Sequence, residues 1–248
     1  MRLTSGGFTH RDSLTQKFIQ SVSATILTSE RYYKIETGIE YRFGEKAKEV
    51  HGWLYNSLGP TTDLLRYFPD SLYFDLRRYF PDWGDKKTPG EFPQGNEMIG
   101  CFTFFVEYKY SRNMRRKPLP NHPDVPLEYI GIIEREAWLT YRRLTTPNPP
   151  LDTYLDGKRP RIALFYAAEY APEKLYAAWE ENIEPIHVVT SVARPNVRSL
   201  PTRGSGTPWV NFDIRQMKPM EKFLVEDLFW DVQEADQSVL QCKNHLFG

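Results

Sequence analysis

The segment Phe102-Thr-Phe-Phe-Val-Glu107-Tyr-Lys109-Tyr110 constrains this chain more than any other, because it sets a carboxylate and an ammonium inside an aromatic run suited to a buried strand. Alternate side chains of a strand point to opposite faces. Thr103, Phe105, Glu107 and Lys109 therefore share one face, and Phe102, Phe104, Val106, Tyr108 and Tyr110 the other. Aromatic residues on both faces predict a central strand covered on each side. Two ionisable groups in such a strand are costly unless something compensates them. A bound metal ion is one compensation; a structural ion pair between Glu107 and Lys109 at an exposed strand end is the other.

Length and composition bound the remaining possibilities. A chain of 248 residues, 40% hydrophobic, can bury one large core. The expected organisation is a single domain over 1–248, with a helical N-terminal part at 1–55 and a sheet-containing core at 63–230. The formal net charge is zero, so nucleic acid would be held by local basic clusters rather than bulk charge. Cys101 and Cys242 are too few for a disulfide framework, and the histidines lack zinc-ligand spacing. No apolar run reaches membrane-spanning length, which predicts a soluble, cytoplasmic protein with no membrane partner. Gly204-Ser-Gly206 lacks the strand-to-helix setting of a dinucleotide loop and reads as a turn.

Periodicity predicts a first helix capped by Asp12 or Ser13, with Phe18, Ile19, Val22 and Ile26 as its apolar stripe. A second helix is expected over 35–54, placing Glu40 on or beside the core-facing stripe, or at an amphipathic edge in water. Further helices are expected over 127–144, over 172–183 from Pro172, and from Pro219 through Trp230. Strands are expected at 161–168, 187–192 and 209–214. The pattern is α/β: a mixed central sheet flanked by helices on both faces, with an N-terminal helical extension.

Upstream of the charged strand stand Pro81-Asp82 and, twelve residues earlier, the echo Pro69-Asp70. Pro-Asp, then a spacer, then Glu107-Tyr108-Lys109 on the next strand resembles the signature of the PD-(D/E)XK nuclease superfamily, and that resemblance implies a restriction-endonuclease-like core. It implies a metal-dependent phosphodiesterase cleaving DNA by Mg²⁺-activated water, with Mn²⁺ able to substitute. Asp82 and Glu107 would be metal ligands, with the Tyr108 backbone carbonyl completing the set, and Lys109 would position water or stabilise charge. The chemistry is coherent: carboxylates converging from adjacent strands are hard oxygen ligands for Mg²⁺, and a lysine offsets charge on phosphate. Glu40 would be a further ligand contributed by the preceding helix.

Asp82 is favoured over Asp70, which would need another strand between it and Glu107; Asp75, within an expected strand, competes, and Glu97 is a more distant candidate. After Lys109, the residues Arg112, Arg115, Arg116 and Lys117 run without an acidic residue until Asp124. They form a candidate phosphate-backbone contact or an ordinary solvated loop. DNA is favoured over RNA by the resemblance alone, and a homodimer is compatible with it. A glutamine and tyrosine four apart on the following helix would mark the RecB-like branch; Glu134 and Trp138 stand at that spacing instead. The other function classes are a nuclease-like module that binds nucleic acid without cleaving it, and an intracellular interaction protein with a structural Glu107/Lys109 pair.

Overall fold

The structure, a computed structural model, describes residues 13–28, 32–36, 69–75, 102–112, 114, 117–145, 161–188 and 209–248. Its elements in chain order are α1 (Ser13–Thr28), β1 (Tyr32–Glu36), β2 (Ser71–Asp75), β3 (Phe102–Ser111), β4 (Ile130–Glu134), α2 (Arg135–Thr145), β5 (Arg161–Ala168), β6 (Leu175–Trp179), β7 (Pro185–Val188), β8 (Trp209–Asp213), β9 (Lys218–Pro219), α3 (Met220–Glu226) and α4 (Val232–Phe247). Among these residues the protein is mixed α/β, with four helices and two sheets. Among the described residues no helix is long and apolar enough to cross a membrane.

The main sheet has the order β1-β2-β3-β5-β6-β9. Its strands pair antiparallel except β3 and β5, which run parallel. A parallel pair needs a crossover, and the segment between β3 and β5 supplies one that carries β4 and α2. The alternation expected of β3 separates the core into two layers. Phe105 joins Ile162, Leu164 and Tyr166 beneath α2, while Phe104, Val106 and Tyr108 join Ala163, Phe165 and Ala167 beneath α1, α3 and α4. On α1 the buried residues Phe18, Val22 and Ile26 recur at helical spacing, as do Ala235, Val239, Cys242 and Leu246 on α4. The α4 N-terminus is closed by Asp231, whose side chain accepts from the backbone N–H groups of Gln233 and Glu234.

Several local expectations are corrected. Residues 127–144 are not one helix: a 3₁₀ turn at Leu127–Tyr129 leads into β4, and α2 starts only at Arg135. The Ile130 and Ile133 spacing fits a helix, but β-branched residues suit a strand, and β4 belongs to a second antiparallel sheet, β4-β8-β7, rather than to one central sheet. Gly131 explains the pairing: a Cβ there would lie 2.2 Å from Cζ of Phe212, its cross-strand partner.

Residues 172–183 also fold differently, as a turn with Lys174 at φ 61° followed by β6 and a 3₁₀ turn. All five β6 residues are buried, so the segment has no solvent face and the sheet overrides its alanine-rich helical propensity. Ile35 and Glu36 end β1 rather than beginning a helix. The rest of 37–54 lies outside the described residues. The helix expected from Pro219 through Trp230 is shorter, α3 ending at Glu226, and beyond Phe229 at φ 59° the chain forms a separate helix, α4.

Gly131→Ala should destabilise the protein by about 1–3 kcal/mol, because the methyl group must displace the fully buried Phe212 ring. Denaturant unfolding checks this, and an unchanged midpoint would show that the two strands can separate without cost.

Candidate functional site

The antiparallel register of β2 on β3 builds the site. Ser71 lies opposite Val106, so Asp70, one residue before β2 begins, comes alongside Glu107. No strand intervenes, which removes the reason for ranking Asp70 below Asp82. The Asp70 carboxylate Oδ2 accepts the backbone N–H of Tyr108 at 3.1 Å. In an extended residue the N–H and C=O point to the same side, so the Tyr108 carbonyl faces the same edge beyond the end of β2. Asp75 sits at the other end of β2, four residues further, or roughly 13 Å at strand rise, which separates it from Glu107.

Glu107 is 3% exposed, and Lys109 Nζ lies 2.5 Å from its Oε1. Burial, followed by the nearby Asp70 carboxylate, pushes the Glu107 carboxyl up to about 7 against the partial relief supplied by Lys109. For Lys109 burial alone would lower the pKa, but the carboxylates of Glu107 and Asp70 outweigh it and the net direction is up. Its side chain keeps 27% exposure while its ammonium pairs inward with Glu107. Two residues that sequence reasoning placed elsewhere complete the surroundings. Tyr141, read as part of a helix stripe, joins Lys109 in working against the rise of the Glu107 carboxyl, and Glu134, at the end of β4, contributes to the field on Lys109. A signal for Tyr141 was available, since a buried phenol needs a polar partner.

The opposite face of β3 holds the same backbone from behind. The Tyr108 hydroxyl is 2.9 Å from that of Tyr73 and 3.1 Å from Ser23 Oγ, and Lys34 Nζ donates to Ser23 at 2.8 Å. These contacts tie β3 to β2, α1 and β1. Tyr108 thus links the two layers, its ring anchored in one and its backbone facing Asp70 at the edge of the other.

The remaining sequence candidates divide by position. Asp82, Glu40, Glu97, Arg115 and Arg116 lie outside the described residues. Arg112 and Lys117 are exposed just after β3, and Arg112 Nε is 3.7 Å from Glu169. Glu134 and Trp138 are not one turn apart on a helix, because Glu134 belongs to β4 and Trp138 to α2.

Among the described residues no three His, Cys, Asp or Glu side chains form a metal-holding group. Mg²⁺ does not need such a cage, since it takes one or two carboxylates and keeps several waters. Asp70, Glu107 and the Tyr108 carbonyl provide oxygen donors only. With Glu107 ionised, two carboxylates and one ammonium (−2 + 1) leave a charge of −1. The set fits a hard cation.

No family model, curated protein or solved structure matches the chain.

The pH dependence follows from Glu107. Its folded pKa, about 7, lies above the ordinary value of 4.5, so the folded state binds the proton more tightly. The stability from this group is fully present below pH 4.5 and is lost as pH rises through 7. Glu107→Gln should therefore match the parent near pH 4.5 and exceed it by about 1–3 kcal/mol at pH 8. Paired unfolding titrations measure the difference, and a gap independent of pH would contradict the crowding of Glu107.

Proposed function

We propose that this chain is a Mg²⁺-dependent phosphodiesterase of PD-(D/E)XK type acting on DNA, with Asp70 in the role the sequence reading assigned to Asp82. The observation that carries the proposal is the Asp70 carboxylate 3.1 Å from the Tyr108 backbone nitrogen, beside Glu107 on the adjacent strand. Pro69-Asp70 is itself a Pro-Asp pair, and the strand that follows it pairs directly with the one carrying Glu107-Tyr108-Lys109. The order of α1, three antiparallel strands, a helix-bearing crossover and a parallel fourth strand supports a restriction-endonuclease-like core.

In this reading Asp70, Glu107 and the Tyr108 carbonyl hold the cation. Bound there, Mg²⁺ would supply Lewis-acid polarisation of the scissile phosphate and acidify a water molecule. Lys109 stays protonated at neutral pH because its carboxylate neighbours hold its pKa up. Its role is accordingly to orient water and offset charge on phosphate rather than to abstract a proton. In this reading Arg112 and Lys117, exposed where the chain leaves β3, would meet the nucleic-acid backbone, and Arg115 and Arg116 belong to the same basic run in the sequence. DNA rather than RNA rests on the resemblance of the motif.

The purified protein should cleave DNA with Mg²⁺ or Mn²⁺ and be silent in chelator. Asp70→Asn and Lys109→Ala should each lower the rate by about 100-fold or more, while Asp82→Asn stays near the parent. Cleavage in chelator would refute the proposal. Binding without cleavage would point to the non-catalytic module, and loss on Asp82→Asn alone would restore Asp82. Replacing Arg112, Arg115 and Arg116 by Ala should flatten the salt dependence of DNA binding by about one unit of slope per lost phosphate contact. An unchanged slope would make that segment a plain solvated loop.

A further inference from the structure

Beyond the ligand set, we infer that Tyr73 is a positioning residue of this centre, its phenol hydroxyl bracing Tyr108 from the far face of the sheet and so fixing where Asp70 stands against Glu107; this rests on the metal reading above. The ladder that brings the two carboxylates together is short. Ser71, Leu72 and Tyr73 of β2 pair in step with Val106, Phe105 and Phe104, and the register shifts at Phe74. Asp70 lies one residue beyond that ladder. So short a ladder pins its strands weakly, and sliding β2 along β3 would carry Asp70 away from Glu107 and from the Tyr108 backbone.

The brace runs diagonally. Tyr73 pairs with Phe104, yet its hydroxyl lies 2.9 Å from that of Tyr108, further along β3 on the same face. Both rings are wedged. Tyr73 stacks on Phe104 at 5.6 Å and meets Tyr32 edge to face at 6.4 Å, while Tyr108 stacks on Phe165 and meets Phe18 edge to face, each at 6.2 Å. Rings held in this way by β1, β3, β5 and α1 leave the two oxygens little room to part, so β2 can slide only by breaking their contact. Both phenols are buried, and bulk water does not take the place of an oxygen removed there. The Tyr108 hydroxyl is also 3.1 Å from Ser23 Oγ, which accepts from Lys34 Nζ at 2.8 Å because an ammonium has only protons to give.

The backbone of Tyr108 serves the centre itself. Its N–H donates to Asp70 Oδ2 at 3.1 Å, and its carbonyl is the third oxygen of the ligand set. One residue therefore joins the brace on the apolar face to the donors at the strand edge. Tyr73→Phe keeps the stacked ring and removes the oxygen. Loss of an outer partner of a metal centre typically weakens affinity by about 10–100-fold.

The test is Mn²⁺ binding to the full chain, read by titration calorimetry and by the paramagnetic signal of free Mn²⁺. Tyr176→Phe is the control: that buried residue's hydroxyl accepts the Glu173 backbone N–H at 3.2 Å, and it stands on β6, separated from β3 by β5. The expected result is an Mn²⁺ dissociation constant raised about tenfold in Tyr73→Phe and little changed in Tyr176→Phe. Cleavage lost by Tyr73→Phe at low Mn²⁺ should return at saturating Mn²⁺, a recovery that a merely structural defect would not show. Equal Mn²⁺ affinity in Tyr73→Phe and the parent would overturn the positioning role while leaving the metal centre standing. Absence of Mn²⁺ binding in the parent would overturn both. A second measurement does not depend on how Tyr73→Phe folds: 3-fluorotyrosine at position 73 should give a ¹⁹F resonance that moves with the midpoint of Mg²⁺ binding. A resonance that ignores Mg²⁺ would likewise overturn the role.

Discussion

The backbone hydrogen bond from Tyr108 to the Asp70 carboxylate is the constraint on which the rest depends. It exists because β2 begins one residue after Asp70 and pairs Ser71 with Val106. A slip of one residue would turn every β3 side chain to the other face, sending Glu107 and Lys109 among Phe18, Val22 and Phe165. The aromatic residues prevent that slip. Tyr73 stacks on Phe104 at 5.6 Å, and the Tyr73 and Tyr108 hydroxyls meet behind the strand. A register shift lies between Tyr73 and Phe74, so the irregular pairing falls toward the start of β3, while Ser71 to Tyr73 stay in step with Val106 to Phe104.

Two buried glutamates in the same layer show how environment separates a structural charge from a site. Glu180 is fully buried and its carboxyl is also pushed up to about 7, by burial first, with the Arg142 guanidinium working against the rise. Its closest charged partner is that guanidinium, at 2.9 Å, and the pair fastens α2 to the end of β6. Both glutamates feel a second carboxylate as well as a cation, Glu181 with Arg142 beside Glu180 and Asp70 with Lys109 beside Glu107, but the neighbours of Glu107 come together across the β2–β3 pair. Crowding like charges beside one partly exposed cation has no packing benefit, and such arrangements concentrate where a ligand or reaction uses the stored charge.

Much of the central layer was legible from the sequence because burial on both faces leaves a strong pattern. The β5 span 161–168 and the alternation of β3 needed only the runs of apolar residues. The apolar stripe of α1 needed only helical spacing. The segments misread as helix, 130–134 and 175–179, are short and apolar, and for such runs periodicity cannot decide between helix and strand. Their pairing partners β8 and β5 decide, and those are distant or invisible to a local reading. Glu107 and Lys109 stood out as charges in an apolar run. Asp70 did not, because choosing between two Pro-Asp pairs requires knowing which strand lies next to β3.

The central claim is that Asp70 and Glu107 converge on one divalent cation. Anomalous diffraction from crystals grown with Mn²⁺ tests it most directly. The account predicts a single strong peak within about 2.0–2.2 Å of an oxygen from each carboxylate, with the Tyr108 carbonyl also in contact and Lys109 drawn away from Glu107. A crystal saturated with Mn²⁺ that shows no peak between Asp70 and Glu107, with the Glu107 to Lys109 pair still closed, would contradict it.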